Sequence, residues 1–230
     1  MIESEKYDKR KKVTIMANRP VFTVSDTKPY CRQASLYFEW NAGFSKTQKM
    51  KNVEALHHAY LNSALGKGKK ILEISSKSSD PNGVAMSAFN LKKYVPSLDR
   101  MVTVECIFQA GKVFSQGGPY LDLLESTSRA AKKDERLYSS GKLIAFEFEG
   151  ERYPLEPKTA FYDWIYINAC MENEELSDYI LQFDAFSDIE FNPERSINCQ
   201  ARTCAKYVSL KRLNLIDKDI DFDTFVEMFY

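Results

Sequence analysis

Apolar and polar positions alternate in distinct ways along the chain, and the pattern sets the expected elements. Residues 13–16 and 21–24 read as short strands interrupted by Asn18-Arg19-Pro20, and residues 36–40 as a further strand ended by Asn41-Ala42-Gly43. Ser45 caps a predicted helix running to about Ser63, with Val53, Leu56, His57, Tyr60 and Leu61 on one face. A strand over 71–75 leads into a Ser/Asn/Gly-rich loop through Gly83. Residues 120–133 and 134–137 read as helical, 142–148 as a strand, and 149–152 as the turn after it. An aromatic helix is expected over 161–171, a second over 176–183, and a loop over 188–193. Ser196 caps a predicted helix reaching about Leu213, and 222–230 forms a terminal one. Without repeats or long linkers, this order predicts one α+β domain over 13–230, largely helical with a small, mostly antiparallel sheet. The first 12 residues are charged, carry little apolar content, and are expected to form a flexible tail.

The stretch 104–114 breaks the common amphipathic pattern. On a helical wheel, Glu105, Gln109, Lys112 and Gln116 fall within about 60° of one another, while Val104, Ile107, Phe108, Val113 and Phe114 fill the rest of the circumference. A solvated face is broad, so this narrow polar stripe predicts a buried helix whose one polar edge looks into a partner group or a pocket. Gly117-Gly118-Pro119 is expected to end it. Two readings stand at this point: a buried Glu105–Lys112 pair, or a carboxylate, an amide and an ammonium converging on one substrate.

Charge and cysteine content narrow the classes. Thirty-two basic and 32 acidic residues cancel, so nucleic-acid contact has to be local, through clusters such as 46–51, 67–70 and 129–133. The basic turn at 66–70 lacks the order of a phosphate-binding P-loop. Five cysteines without CxxC spacing indicate neither a zinc site nor a disulfide framework, and a reducing, cytoplasmic compartment is expected. Cys199 and Cys204 have no basic partner in sequence and read as packing residues. His57 and His58 are the only histidines, and adjacent helical positions diverge too far to chelate one ion, so no metal or cofactor is expected. No apolar run is long enough to span a membrane.

Ser87-Ala88-Phe89-Asn90 followed by Val104-Glu105-Cys106-Ile107-Phe108-Gln109-Ala110-Gly111-Lys112 resembles the NADAR family, whose motifs read roughly Leu-Ser-Asn-Phe and Val-Glu-His-x-Phe-Gln-x-x-Lys. The similarity covers about Arg19 to Leu213. Cys106 stands where histidine is usual and Ala88 where asparagine is; the later Asp-x-x-Trp-Gly motif is matched by Asp188-Ile189-Glu190-Phe191, and Gly-x-Asn by Ser196-Ile197-Asn198. The resemblance implies a NADAR-like fold and cleavage of N-glycosidic bonds to ADP-ribose. One branch of the family is similar to antitoxins paired with ADP-ribosyltransferase toxins that modify guanine in DNA. It therefore implies ADP-ribosylated DNA as substrate, ADP-ribose as product and a cognate toxin as partner. Two alternatives remain open: a small-molecule N-glycoside as substrate, and a non-catalytic protein that neutralises a toxin by contact.

On this reading Glu105 stabilises the oxocarbenium-like state or activates the nucleophile. Lys112 either contacts ribose or phosphate oxygens or attacks a ring-opened sugar as an amine. Asp188 protonates the leaving base or orients water. Gln109, Ser87 and Asn90 are candidate sugar and diphosphate contacts, against the alternative that Ser87 and Asn90 only make a local turn. Trp164 stacks on a base or packs the core.

Overall fold

The structure, a computed structural model, describes residues 15–230. The expected tail and the first two positions of the first predicted strand lie outside the described residues. In chain order the elements are β1 (Met16–Val24), β2 (Cys31–Glu39), α1 (Lys46–Leu61), β3 (Ile71–Glu73), α2 (Pro81–Ala85), β4 (Lys92–Val95), β5 (Arg100–Thr103), α3 (Val104–Ala110) and β6 (Lys112–Phe114). They continue with α4 (Ser128–Lys132), α5 (Arg136–Ser139), β7 (Leu143–Phe148), β8 (Glu151–Tyr153), α6 (Ala160–Met171), α7 (Glu174–Ile180), β9 (Ala185–Ser187), α8 (Gln200–Arg212) and α9 (Phe222–Phe229). The fold is α+β, as the pattern predicts, and its strands divide among three sheets.

The largest sheet has the order β2-β1-β9-β3, in which β9 runs antiparallel to β1 and parallel to β3. β4 and β5 form a hairpin, and β6-β7-β8 an antiparallel ribbon. α6 is the central post: residues 160–170 are all buried, Asp163 and Asn168 among them. It packs against α3, α8 and β4. α1 starts at the predicted Ser45 cap, whose side chain accepts from Gln48 N, and covers β2.

Several boundaries differ from the expectation. β1 is one strand that runs through Asn18-Arg19-Pro20, paired with β2 along its length. Proline is tolerated there because β9 pairs only with Val21–Thr23, so the missing N–H at Pro20 interrupts no second ladder. The expected helix over 120–133 splits into a 3-10 turn, Leu121–Glu125, and the short α4. α8 begins at Gln200 after Cys199, since the Ser196 hydroxyl donates to Asn198 O and builds a local turn instead of a cap. The hairpin β4-β5 and strand β9 are too short for a period to announce them.

Candidate active site

The predicted helix from 104 past 114 ends at Ala110. Gly111 shows why: a Cβ there would stand 2.6 Å from Glu147 O, and Glu147 N donates to Gly111 O at 2.7 Å. β7 passes too close for a side chain, and the chain leaves the helix to pair with it as β6. Gly117-Gly118-Pro119 therefore turns the chain after β6, not after a helix, and Gln116 is drawn into that turn by its N–H bond to Ser140 O. Gln116 does not reach the cleft described below.

The start of α3 is fixed just as tightly. Thr103 caps it, accepting from Cys106 N, and meets Ser128 Oγ at 2.8 Å, which donates to Phe89 O. Glu105 N donates to Ala88 O at 2.8 Å and Val104 N to Leu91 O at 2.9 Å. These bonds bind the 87–91 loop to the first turn of α3, so the two NADAR-like motifs meet. Cys106 points away, its thiol against Ser126 O.

From this frame a polar relay faces inward. Gln109 Nε2 donates to Glu105 Oε1 at 2.8 Å, and Lys112 Nζ donates to Gln109 Oε1 at 2.7 Å. Glu105 and Lys112 thus make no direct pair, and the amide joins them. The cation paired with Glu105 is Lys132 of α4, at 3.6 Å. Burial, with Lys132 adding to it, pushes Lys112 down to about 8 against the opposing pull of Glu105. Its ammonium also lies 4.8 Å from the centre of the Phe108 ring.

The relay shares its cleft with Asp188, the residue after β9. Glu190 N donates to its Oδ1 at 3.0 Å and Gln200 Nε2 to its Oδ2 at 2.9 Å. Gln200, the first residue of α8, also donates to Ile74 O and accepts from Ala88 N, tying β3, the 87–91 loop and Asp188 together. Behind Asp188 is Glu73, only 2% exposed. It accepts from Ser75 Oγ at 2.6 Å, Ile189 N at 2.8 Å and Ser187 Oγ, and Ser187 in turn meets His57 Nε2 at 2.7 Å. Burial and then the Glu73 charge raise Asp188 to about 8; burial raises Glu73 as well, opposed by its three donors. Glu73 accepts three donors and Asp188 two, which favours the charge on Glu73 and the proton on Asp188.

Relay and acid face one cleft of about 920 Å³, the size of a nucleotide-class ligand site. Ser87, Glu105, Gln109, Lys112 and Asp188 all line it. Asn90 and Trp164 do not. The Asn90 amide donates to Val84 O and Ser87 Oγ and so holds the loop behind Ser87. Trp164 Nε1 donates to Ile220 O at 2.6 Å inside an aromatic cluster with Phe148, Tyr153 and Phe222.

Sequence reading missed Glu73, Gln200 and Tyr162. Tyr162 lines the cleft, and burial, then the Glu105 charge, keep its phenol protonated far above neutral pH. Glu73 carried a signal, one charge within the apolar run 71–74; Gln200 carried none.

Among the described residues, no helix is long and apolar enough to cross a membrane. No curated protein matches the chain. The pattern of the DarT1-associated NADAR antitoxins does match, over residues 17–230, which takes in every element from β1's second residue to the C-terminus. With the Glu105–Gln109–Lys112 relay folded as one unit against the 87–91 loop, the chain belongs to the DarT1-associated NADAR antitoxin family.

Proposed function

We propose that this antitoxin is an ADP-ribosylglycohydrolase that cleaves the N-glycosidic bond between ADP-ribose and a guanine base in DNA. The carrying observation is one cleft lined by two carboxyls, Glu105 and Asp188, of which burial and the Glu73 charge raise the second. Departure of the base leaves positive charge at the anomeric carbon, which Glu105 stabilises while it orients an incoming water. Asp188 gives its proton to the departing guanine nitrogen, Glu105 takes a proton from the water as the water oxygen bonds to the anomeric carbon, and exchange of that proton through solvent restores Asp188 for the next turnover. Gln109 holds Glu105 in place and reaches a ribose hydroxyl. Ser87 and the Tyr162 phenol add neutral donors. Lys132 and Arg195 at the rim meet the diphosphate. Asn90 acts through Ser87 and Trp164 through the core. The protein acts in the cytoplasm, where toxin and modified DNA meet.

The lowered pKa of Lys112 favours a second route through the same site. Its neutral amine adds to the anomeric carbon of the ring-opened sugar imine, and the guanine amine departs as the C–N bond passes to Nζ. Water then releases ADP-ribose. Borohydride with substrate, followed by mass spectrometry, separates the routes: a reduced adduct on Lys112 supports the amine, and its absence leaves an electrostatic role.

Incubation with an oligonucleotide carrying ADP-ribosylated guanine tests the function. Free ADP-ribose and restored guanine are expected, and an unchanged oligonucleotide refutes it. Protection of toxin-bearing cells by Glu105→Ala marks a contact antitoxin instead. Cleavage of nucleoside adducts but not of the oligonucleotide marks a small-molecule enzyme.

A further inference from the structure

The cleft does not end at its own rim. Glu190, two residues from Asp188, lines it and pairs with Lys49 Nζ of α1 at 3.2 Å. Lys49 Nζ lies 5.2 Å from the centre of the Trp40 ring, and the Arg19 guanidinium of β1 lies 5.5 Å from the same ring. Trp40 is half-buried, propped by Phe38 at 6.1 Å and by the bond from its backbone N to Ile15 O. Glu190, Lys49, Trp40 and Arg19 therefore form an unbroken line of contacts from the cleft onto the side of the large sheet that α1 covers. Exposed Lys46 and Lys51 flank the line on α1, and Phe44, just before that helix, is 99% exposed.

Glu190 N donates to Asp188 Oδ1, whereas Lys49, Trp40 and Arg19 make no hydrogen bond or ion pair with Glu105, Lys112 or Asp188. Trp40 packs against the apolar cluster of Val21, Phe38, Val53 and Leu56 and, unlike Trp164, also carries two cations beside its ring. An aromatic ring set among cations at the surface is the device that single-stranded nucleic acid uses: a base stacks on the ring and adjacent phosphates take the cations. Arg19 and Lys49 are half-buried beside the ring, and base stacking outweighs a cation–π contact of this kind, so an arriving base moves them from the ring onto phosphates. A duplex offers no free base face, and the zero net charge of the chain provides no broad field to hold one.

We infer that Trp40, Arg19 and Lys49 form the path of the single DNA strand that continues from the modified guanine, a surface that rests on the DNA reading of the cleft above. It makes the protein prefer an adduct within a strand over the same adduct on a mononucleotide.

The test compares kcat/KM on an ADP-ribosylated single-stranded oligonucleotide of about 12 bases with that on the ADP-ribosylated guanine mononucleotide. Trp40→Ala is expected to lose about tenfold on the oligonucleotide and nothing on the mononucleotide, with Trp40→Phe restoring most of the loss. The double variant Arg19→Ala/Lys49→Ala is expected to flatten the salt dependence for the oligonucleotide by roughly 1.4 in log–log slope. Equal effects on both substrates, or none, overturn the path while leaving the hydrolase standing. Where wild type cleaves neither substrate, the hydrolase reading fails, and anisotropy of an unmodified labelled oligonucleotide decides the path alone. Weaker binding by Trp40→Ala then upholds it; unchanged or undetectable binding overturns it. Loss of toxin capture by Trp40→Ala with strand binding unchanged assigns the surface to a protein partner and also overturns the inference.

Discussion

Glu73→Gln isolates the group that keeps Asp188 protonated. Both carboxyls are buried, and the Glu73 charge stands beside burial as a cause of the raised Asp188 value of about 8. The substitution removes that charge and leaves the hydrogen bonds intact. Ser75 Oγ and Ile189 N still donate to the amide oxygen in the place of Oε1. The new amide N–H donates to Ser187 Oγ, which turns its own hydrogen to His57 Nε2, 2.7 Å away. Burial lowers His57 to about 4, so its ring is neutral across the working range and accepts by a change of tautomer. A single neighbouring charge is worth about 1–3 pKa units, and because burial is the larger cause here the lower part of that range, about 1–2 units, applies. Asp188 is thus expected near 6 or 7 in the variant, still raised by burial. A general acid works below its pKa, so the basic limb of kcat/KM against pH moves down by about 1–2 units. Activity at pH 6 changes little and activity at pH 8 falls about tenfold. The same shift carries a stability sign. A folded pKa above the unfolded one destabilises the fold as pH rises from about 4 toward 8, and lowering it lessens that loss by about 1.4 kcal/mol per unit. The assays are a pH–rate profile and urea melts at pH 6 and 8. A basic limb that stays at the wild-type pH in a folded Glu73→Gln protein refutes the assignment of the proton to Asp188.

Other perturbations reach separate parts of the argument. Glu105→Gln preserves the bond from Gln109 and is expected to lower kcat by about 10²–10⁴-fold with little change in melting temperature, measured on the ADP-ribosylated oligonucleotide. Gly111→Ala has a permitted φ but places a methyl group against Glu147 O, so urea denaturation is expected to show a loss of about 1–3 kcal/mol. Asp163→Asn strips the buried anion that accepts from Lys206 Nζ at 2.8 Å and from the Tyr230 hydroxyl at 2.6 Å. It strands a buried ammonium at a cost of about 3–5 kcal/mol, read in the same melts. Burial raises Asp163, but Lys206 and Arg202 outweigh it and hold the carboxyl below its usual range. Its contribution is therefore present above about pH 4 and lost as pH falls through the folded value.

The pairing of Glu105 with Lys112 shows how far the wheel carries. Spacing i to i+4 was enough to place Glu105 beside Gln109, because one helical turn is a local rule and α3 obeys it. Lys112 falls on the same side for a different reason: it leaves strand β6, whose direction is set by pairing with β7, over Lys112↔Phe146, 34 residues apart in sequence, and its neighbours. A helical wheel drawn through Gly111 reaches a correct neighbourhood for Lys112 and a wrong one for Gln116. Asn90 and Trp164 show the opposite limit, where residue type suits a ligand and the surrounding chain uses it up.

By itself the sequence determined the Ser45 cap of α1, the aromatic helix over about 161–171, the inward acid and amide of α3, and the motifs that mark the family. Each is written in a few adjacent residues whose propensities and periods act over one or two turns. Tertiary structure decided that α3 stops at Gly111, that three residues at 185–187 become a strand between β1 and β3, and that Asp188 stands in front of Glu73 and under Gln200. Those outcomes depend on close approach and on charges brought together across more than 100 residues, as in the bonds from Ser187 and Ile189 to Glu73. The protonation of Asp188, on which the proposed chemistry turns, is a property of that packing.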